Sequence, residues 1–247
     1  MTEDRMRRGA LFIREAAIDW EAVPRDSYLR DISALKGFGR LAFESNVTFF
    51  AGENGTGKST LLEGIAVAYG FNAEGGTKNY RFSTYQEVSE LEEAIRLVKG
   101  YRKRNAGSVF RAESFFNVAT VTNLQYNDDG RLPDYHAQSH GESFLSFLQD
   151  AAGEGVYLMD EPEAALSPQR QLTLMRHIHC MAMEGSQFII ATHSPILLGL
   201  PGAQILRFSD DGIQPVRYEE TESYQITKLF LERRRQMLEE LFKDTEA

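Results

Sequence analysis

The alternation of apolar and polar residues divides the first third of the chain into two strands and a helix. Ala10–Ile18 alternates apolar residues as a strand does, and Asn46–Ala51 is a short β-branched and aromatic run that ends at a glycine. Lys58–Tyr69 then has apolar residues three and four positions apart and is followed by Gly70. The pattern therefore predicts two strands and then a helix.

The second half of the chain alternates helices with apolar strands. Helices are predicted at Glu142–Ala152 and Gln169–Met183, and strands at Val156–Asp160 and Gln187–Thr192. A further strand pair is predicted around the turn at Asp210-Asp211-Gly212. Because strands that alternate with helices form parallel sheets, we expect a mostly parallel sheet with helices on its faces.

The segment between these two parts has a different character. Glycines punctuate Gly70–Pro133, which contains a predicted helix at Glu87–Lys99 and a predicted strand at Ser108–Phe116. We interpret about 70–135 as an inserted lobe of a single domain that spans 1–247. The tail, about 222–247, is predicted to form an amphipathic helix because Ile226–Phe242 intersperses apolar residues with charges.

Composition narrows the class of protein. The chain has 247 residues, of which 42% are hydrophobic and 26% charged, so disordered, collagenous and disulfide-scaffold classes are excluded. The net charge of −9 argues against a broadly basic surface for nucleic acid or anionic membranes, so phosphate binding must be local. With one cysteine, no signal peptide and no membrane span in the pattern, we expect a cytoplasmic protein.

A glycine-rich segment between the second strand and the first helix has the spacing of a phosphate-binding loop. Successive backbone amides of such a loop surround an anion, and the helix N-terminus adds partial positive charge. Lys58 is predicted to reach the β- and γ-phosphates, and the Ser59 hydroxyl is predicted to bind Mg²⁺. The predicted nucleotide-binding residues here are Gly52, Glu53, Asn54, Gly55, Thr56, Gly57, Lys58, Ser59 and Thr60.

Two acids follow the apolar strand Val156–Asp160. Alone, a strand that ends in Asp160 and Glu161 could be a surface turn. With a phosphate loop on the same sheet, the pair is predicted to lie where open parallel sheets bind ligands. Asp160 would hold Mg²⁺ through water, and Glu161 would act as general base on the attacking water.

Two further motifs support phosphate chemistry. Ser139 and Glu142 are spaced as a helix capping box, yet Ser139 and Gly141 could also bind an anion, and a second subunit's γ-phosphate is the natural occupant. His193 follows the strand Gln187–Thr192, where a histidine is often structural. Beside the Asp160 strand, however, its imidazole could contact a γ-phosphate.

These four elements, in this order, resemble the ATP-binding cassette (ABC) ATPases, in particular the RecF-type, SMC-type and small bacterial AAA family ATPases. The resemblance implies a P-loop α/β fold: an ABC-type head with an N-terminal antiparallel β portion and a mixed inserted lobe. It identifies Gly52–Ser59 as Walker A, Asp160 and Glu161 as the end of Walker B, and Ser139–Glu142 as the signature motif. By the same likeness, Ala164–Ser167 is the D-loop and His193 the switch histidine.

Some family positions are not assigned by the resemblance. The signature has His140 between its serine and glycine, and the D-loop has Ser167 where an aspartate is common. The Q-loop residue stays open between Gln86 and Glu113, neither of which is assigned. The adenine-stacking aromatic stays open among three residues upstream of the phosphate loop, which are Tyr28, Phe38 and Phe43.

The resemblance implies an ATP-hydrolysing homodimer. Two chains would enclose two ATP molecules head to tail, each with Mg²⁺, and Lys58, Glu161 and His193 would carry the chemistry. The process is expected to be DNA-related, in repair or defence, and short basic clusters occur at Arg102–Arg104 and Arg233–Arg235. The alternatives are an ATP-binding subunit of a membrane transporter and a regulatory or toxin-like ATPase with a separate effector protein.

Overall fold

The structure is a computed structural model that describes residues 11–71, 76–77, 90–102, 106–111 and 153–243. Ten strands lie within these ranges: β1 Ile13–Ile18, β2 Arg40–Ala42, β3 Val47–Ala51, β4 Gly76–Thr77, β5 Ile95–Lys99, β6 Ala106–Arg111, β7 Gly155–Asp160, β8 Gln187–Ala191, β9 Gln204–Ser209 and β10 Gly212–Val216. The α-helices there are α1 Lys58–Tyr69, α2 Glu90–Ala94, α3 Pro168–Met183, α4 Pro195–Leu198 and α5 Glu222–Leu241. Short 3₁₀ turns occur at Tyr28–Arg30, Ser33–Leu35, Pro162–Ala165 and Tyr218–Glu220.

The central sheet has the strand order β10-β9-β3-β8-β7-β6-β4. Its middle is parallel, since β3 pairs in parallel with β8 and β9, and β7 pairs in parallel with β6 and β8. The two edges are antiparallel, through β10 with β9 and β4 with β6. The predicted α/β fold with a mostly parallel sheet is confirmed.

A second, three-stranded antiparallel sheet has the order β2-β1-β5. Glu15 of β1 lies opposite Ala42 of β2 and Val98 of β5. This sheet confirms the predicted antiparallel β portion near the N-terminus.

Both faces of the central sheet are covered, which explains the continuous apolar strands. Along β7, Val156 and Leu158 join the core that includes α1 and the three-stranded sheet. The alternate residues Tyr157 and Met159 join a second core with α3 and α4. Every residue of β3 and β8 is buried, so these strands form the centre of the domain.

The helix predicted at Glu87–Lys99 is wrong for its second half. Only Glu90–Ala94 is helical among its described residues, and Ile95–Lys99 is β5, an edge strand of the small sheet. Pairing of β5 with the distant β1 decides its conformation, which local periodicity cannot reveal. β5 and β6 both lie in the segment predicted as an inserted lobe, yet they belong to the two main sheets.

The predicted C-terminal helix is present as α5. None of its residues, all of which the structure describes, is buried, and Leu231 is 74% exposed. The helix predicted at Glu142–Ala152 lies outside the described residues. Within the described ranges, the helices are all too short or too polar to cross a membrane.

We predict that the hydrogen bonds of the Gln187 side chain, which link β8 of the central sheet to β1 of the small sheet, stabilise the fold. Its buried side-chain amide accepts from the Ile13 N–H and donates to the Ile13 carbonyl, at 2.8 Å in each case. Gln187→Leu would leave both backbone groups buried and unpaired, so the free energy of unfolding should fall by about 2 to 4 kcal/mol. Urea denaturation measures this, and the exposed Gln236→Leu should change the value by less than about 0.5 kcal/mol. Equal stability of the two variants would contradict the role of the bridge.

Candidate functional site

The candidate site lies along the edge of the central sheet where its parallel strands end. β3 ends at Ala51 and leads into the phosphate loop, and β7 ends at Asp160. β8 lies between them, with Ala191 opposite both Phe50 and Asp160. His193 follows β8, so the expectation that its strand lies beside the Asp160 strand is confirmed.

Glycines allow the phosphate loop to turn sharply from β3 into α1. Gly52, Gly55 and Gly57 have φ angles of 138°, 80° and 95°, a region that L side chains rarely adopt. A Cβ at Gly52 would lie 2.3 Å from the Phe208 carbonyl oxygen of β9. Gly52 is therefore required both by its conformation and by the close approach of the neighbouring strand.

Lys58 is the first residue of α1, and its ammonium is folded back over the loop. Nζ donates to the carbonyls of Gly52, at 2.8 Å, and Glu53, at 2.7 Å. Burial lowers the pKa of Lys58, and four neighbouring carboxylates oppose this shift by favouring the charged form. These are Glu161, Asp160, Glu163 and Glu53, in order of decreasing effect. An anion that enters the loop can therefore replace these two carbonyl oxygens as the partner of the Lys58 ammonium.

Ser59 and Asp160 meet at the same edge although they are far apart in sequence. The Ser59 hydroxyl donates to Asp160 Oδ1 at 2.9 Å. A hydroxyl and a carboxylate are oxygen ligands of the kind that Mg²⁺ prefers, and such sites use few protein ligands beside phosphate and water. The Ser59–Asp160 pair therefore fits a Mg²⁺ site in which phosphate and water supply the remaining ligands.

The remaining loop residues lie as the phosphate-loop pattern predicts. The Thr56 hydroxyl donates to the Glu53 carbonyl at 2.8 Å and closes the turn of the loop. Asn54 and Glu53 are exposed, and Thr60 is partly exposed in the first turn of α1. The predicted nucleotide-binding residues from Gly52 to Thr60 thus form one continuous loop and helix start.

Glu161 has an unusual backbone conformation. Its φ of 47° and ψ of 50° are left-handed, and it is the non-glycine residue with positive φ among the described parts of the chain. Its N–H donates to the Ala191 carbonyl of β8 at 2.9 Å, which ties the turn to the sheet. Strain of this kind is concentrated at functional sites.

The side chains of Glu161 and His193 approach each other above this edge. Glu161 Oε1 lies 3.6 Å from His193 Nε2, slightly beyond hydrogen-bond distance. Both side chains are partly exposed. The structure therefore brings together the two residues predicted to face the γ-phosphate.

Two residues of this region were missed by sequence reasoning. Glu163 Oε1 accepts from the N–H groups of His193 and Ser194, and Gln171 of α3 bonds to the Ser194 hydroxyl. An acid two positions after Glu161 was visible in the sequence, but its targets are backbone amides thirty residues away. Ser167, at the unusual D-loop position, caps α3 by accepting from the Arg170 N–H.

Several predicted positions lie outside the described residues. These are Ser139, Gly141 and Glu142 of the signature, and the Q-loop candidates Gln86 and Glu113. Of the three aromatic candidates for adenine stacking, Phe38 and Phe43 are buried in the core, whereas Tyr28 is 56% exposed. Tyr28 begins a 3₁₀ turn a few residues before Ile32, which lies next to Gly57, so it is the accessible ring among the three candidates.

A cavity of about 480 Å³ opens beside the phosphate loop. Its walls are the loop at Gly52 and Thr56, His193, the end of β9, and the first turns of α5. The loop, the Ser59–Asp160 pair and the Glu161–His193 pair lie together at this edge of the sheet, which is the arrangement expected of the P-loop ATPase class that the sequence resembles.

Comparison with known families agrees with this class. Residues 93–199 match the family model described as "AAA domain, putative AbiEii toxin, Type IV TA system". The matched segment, which is less than half of the chain, contains β7, Glu161, the predicted D-loop and His193, and the match agrees with the predicted resemblance to ABC-type and AAA ATPases. No curated protein matches the sequence at a significant level.

Solved structures to which the chain is similar include two described as an ABC transporter or part of one, and one SMC head domain. A putative metal-chelate type ABC transporter in an inward-facing conformation is 13% identical and covers 78% of this chain and 81% of its own, with a TM-score of 0.45. CbiO1 from Clostridium perfringens, part of the ABC transporter complex cbiONQ, is 18% identical over 80% of this chain and 89% of its own, with a TM-score of 0.46. The SMC head domain from Thermotoga maritima is 16% identical over 84% of this chain and 100% of its own, with a TM-score of 0.47.

We predict that Gly52 is the loop glycine least tolerant of substitution. Gly52→Ala would place Cβ against the Phe208 carbonyl, whereas a Cβ at Gly55 meets no heavy atom of the described residues within 4 Å. Gly55→Ala should therefore cost only its backbone strain, about 1 kcal/mol, and Gly52→Ala at least about 2 kcal/mol more. Urea denaturation of both variants without nucleotide measures the difference. Similar urea midpoints for the two variants would show that β9 moves to accommodate the added methyl group, and would contradict this prediction.

Proposed function

We propose that the chain binds MgATP and hydrolyses it at this site. The contact of the Ser59 hydroxyl with Asp160 Oδ1, beside the glycine loop and Lys58, is the observation that carries the proposal. It brings the metal-binding groups of two separate motifs to the end of the phosphate loop. The proposal agrees with the AAA domain named in the description of the family model that residues 93–199 match.

ATP binding would begin with the backbone. Amides of the loop and the N-terminus of α1 would donate to the β- and γ-phosphate oxygens. Lys58 would leave the carbonyls of Gly52 and Glu53 and move to those oxygens, because a phosphate carries more negative charge than a carbonyl dipole. Tyr28 would stack on the adenine from the neighbouring 3₁₀ turn.

Ser59 and Asp160 would hold Mg²⁺, Ser59 directly and Asp160 through water. Bound there, the ion would neutralise charge on the β- and γ-phosphate oxygens as the bond to the leaving oxygen breaks. The Ser59 hydroxyl would then give up its hydrogen bond to Asp160.

Glu161 would act as the general base. Its carboxylate would take a proton from a water molecule as the water oxygen attacks the γ-phosphorus in line with the leaving β-phosphate oxygen. The His193 imidazole would donate a hydrogen bond to a γ-phosphate oxygen and stabilise its charge. The products are ADP and inorganic phosphate.

A second copy of the chain would complete the site. Ser139, Gly141 and Glu142 would contact the γ-phosphate held by the partner, so that ATP joins two chains and hydrolysis separates them. This dimerisation switch follows from the family resemblance, and the exposed position of Ser59 and the partial exposure of Glu161 and His193 support it.

The process is proposed to be DNA-related, in repair or defence. Of the two basic clusters, the tail cluster is the better candidate for contact with a phosphate backbone. Arg233 and Arg234 are exposed on α5, although Arg235 pairs with Glu239. Arg102, in contrast, packs over Phe12 and donates to the Gly185 carbonyl, which indicates a structural role.

We predict that Glu161→Gln traps the ATP-bound dimer. The amide cannot accept the proton, so ATP turnover should fall by about 100- to 10,000-fold while ATP affinity stays within about twofold. A phosphate-release assay, nucleotide titration and light scattering with ATP and Mg²⁺ measure these three properties. Glu184→Gln, an exposed glutamate at the end of α3, is the matched control and should behave as wild type.

Two results would contradict different parts of this proposal. Turnover of the Glu161→Gln variant at the wild-type rate would remove Glu161 from the general-base role. A monomer at all nucleotide concentrations, with turnover intact, would remove the dimerisation switch and leave the ATPase proposal standing.

A second candidate function is a toxin-like ATPase that acts with a separate effector. The description of the matched family, a putative AbiEii toxin of a type IV toxin–antitoxin system, favours it. Inducible expression of the wild type in a bacterial host should then slow growth, and Lys58→Ala should abolish the effect because it removes the phosphate contact. Unimpaired growth with soluble wild-type protein would contradict this candidate, and equal toxicity of Lys58→Ala would show that ATP is not involved.

A further inference from the structure

The Glu163 side chain accepts a hydrogen bond from the backbone of His193. None of the roles proposed above for Glu161 and His193 involves this bond. Glu163 lies in the 3₁₀ turn Pro162–Ala165, directly after Glu161. Its Oε1 accepts from the His193 N–H at 2.6 Å and from the Ser194 N–H at 3.1 Å. Hydrogen bonds to a carboxylate are roughly twice as strong as neutral ones, so this contact anchors the segment Thr192–Ser194 between β8 and α4, called here the histidine loop.

A second link joins the same two segments. The Ser194 hydroxyl donates to Gln171 Oε1 at 2.6 Å, and Gln171 Nε2 donates to the Leu166 carbonyl at 3.1 Å. Ser194 Oγ also accepts from the N–H groups of Ile196 and Leu197 and caps α4. The histidine loop is therefore held by two side chains, the Glu163 carboxylate of the 3₁₀ turn and the Gln171 amide of α3.

These bonds determine where the His193 imidazole lies relative to Glu161. The turn itself is tied to the sheet, because the Glu161 N–H donates to the Ala191 carbonyl. With the backbone held at Ala191 and again at His193, the imidazole is directed to within 3.6 Å of the Glu161 carboxylate. Without the Glu163 carboxylate, the His193 N–H would lose this hydrogen bond, and the Ser194 N–H would keep only its bond to the Thr192 hydroxyl.

We propose that Glu163 is a positioning residue that acts through His193. Its carboxylate holds the His193 and Ser194 amides, so that the imidazole and the Glu161 carboxylate are presented together to the γ-phosphate. The functional half of this inference rests on the proposed ATPase activity. Gln171 supports the same loop from α3.

The first test compares Glu163→Ala with wild type in ATP turnover. A displacement of about 1 Å in a catalytic group costs on the order of 100-fold, so kcat should fall by roughly 10- to 100-fold with KM for ATP within about twofold. Glu163→Gln keeps an acceptor oxygen and should recover most of the rate. It also provides a second variant if Glu163→Ala folds poorly. The matched control is Glu184→Ala, which removes an exposed glutamate and should leave kcat unchanged.

The decisive test is a double-mutant cycle with His193→Ala. If Glu163 acts through His193, adding Glu163→Ala to His193→Ala should lower kcat by less than about twofold, because the positioned group is already absent. Multiplicative losses in the double variant would overturn the proposal, and so would wild-type kcat in Glu163→Ala. If Glu163→Ala only destabilised the protein, kcat would fall by the same factor in the wild-type and His193→Ala backgrounds. The cycle therefore distinguishes loss of stability from loss of positioning.

A readout without ATP separates this inference from the proposed function. Amide protons donated to a carboxylate resonate downfield, so the His193 and Ser194 amide resonances should move upfield in Glu163→Ala. Their hydrogen exchange should also accelerate. Unchanged resonances and exchange would overturn the anchoring role. A wild type that anchors these amides yet hydrolyses no ATP would contradict the proposed function and the catalytic half of this inference together, while the anchoring itself would stand.

Discussion

The parallel pairing of β8 with both β3 and β7 is the constraint on which the candidate site depends. Phe50, Ala191 and Asp160 lie at one level across the three strands. Adjacent strands are about 4.8 Å apart, so the end of β3, where the phosphate loop begins, and the end of β7 at Asp160 are separated by roughly 10 Å. The first turn of α1 crosses part of that gap and brings Ser59 to Asp160. The intervening strand delivers His193 between the two motifs.

Burial of these strands on both faces restricts where polar chemistry can occur. Apart from Thr48 and Gln187, β3, β7 and β8 consist of apolar residues or glycine until Asp160, and charged groups collect where the strands leave the sheet. Lys58 lies among Asp160, Glu161, Glu163 and Glu53, which offset the effect of its burial. In a chain with a net charge of −9, the proposed attraction for a nucleotide would therefore depend on backbone amides, on one lysine and on a cation held by Ser59 and Asp160.

The loops at this edge are held by hydrogen bonds between segments distant in sequence. The left-handed Glu161 is tied to β8, and Glu163 and Gln171 bind the histidine loop. The Tyr218 hydroxyl, just before α5, donates to the carbonyl of Pro195, the first residue of α4. These contacts join the segment after β8 to the 3₁₀ turn Pro162–Ala165, to α3 and to the residues just before α5.

The amino-acid sequence by itself determined the elements that have a local cause and the motifs whose spacing is fixed along the chain. α1 was predicted from Lys58 to Tyr69 because its glycines and its apolar spacing are local, and the loop residues from Gly52 to Thr60 followed from one continuous pattern. Only the tertiary structure decided the outcome where partners are remote in sequence. Ile95–Lys99 became a strand through pairing with β1, Phe38 and Phe43 became core residues while Tyr28 stayed exposed, and Glu163 reached the amides of His193 and Ser194. The physical reason is that strand pairing, burial and hydrogen bonds to backbone amides depend on which segments lie next to each other in the folded chain. When those segments are distant in sequence, a local pattern of side chains does not reveal the contact.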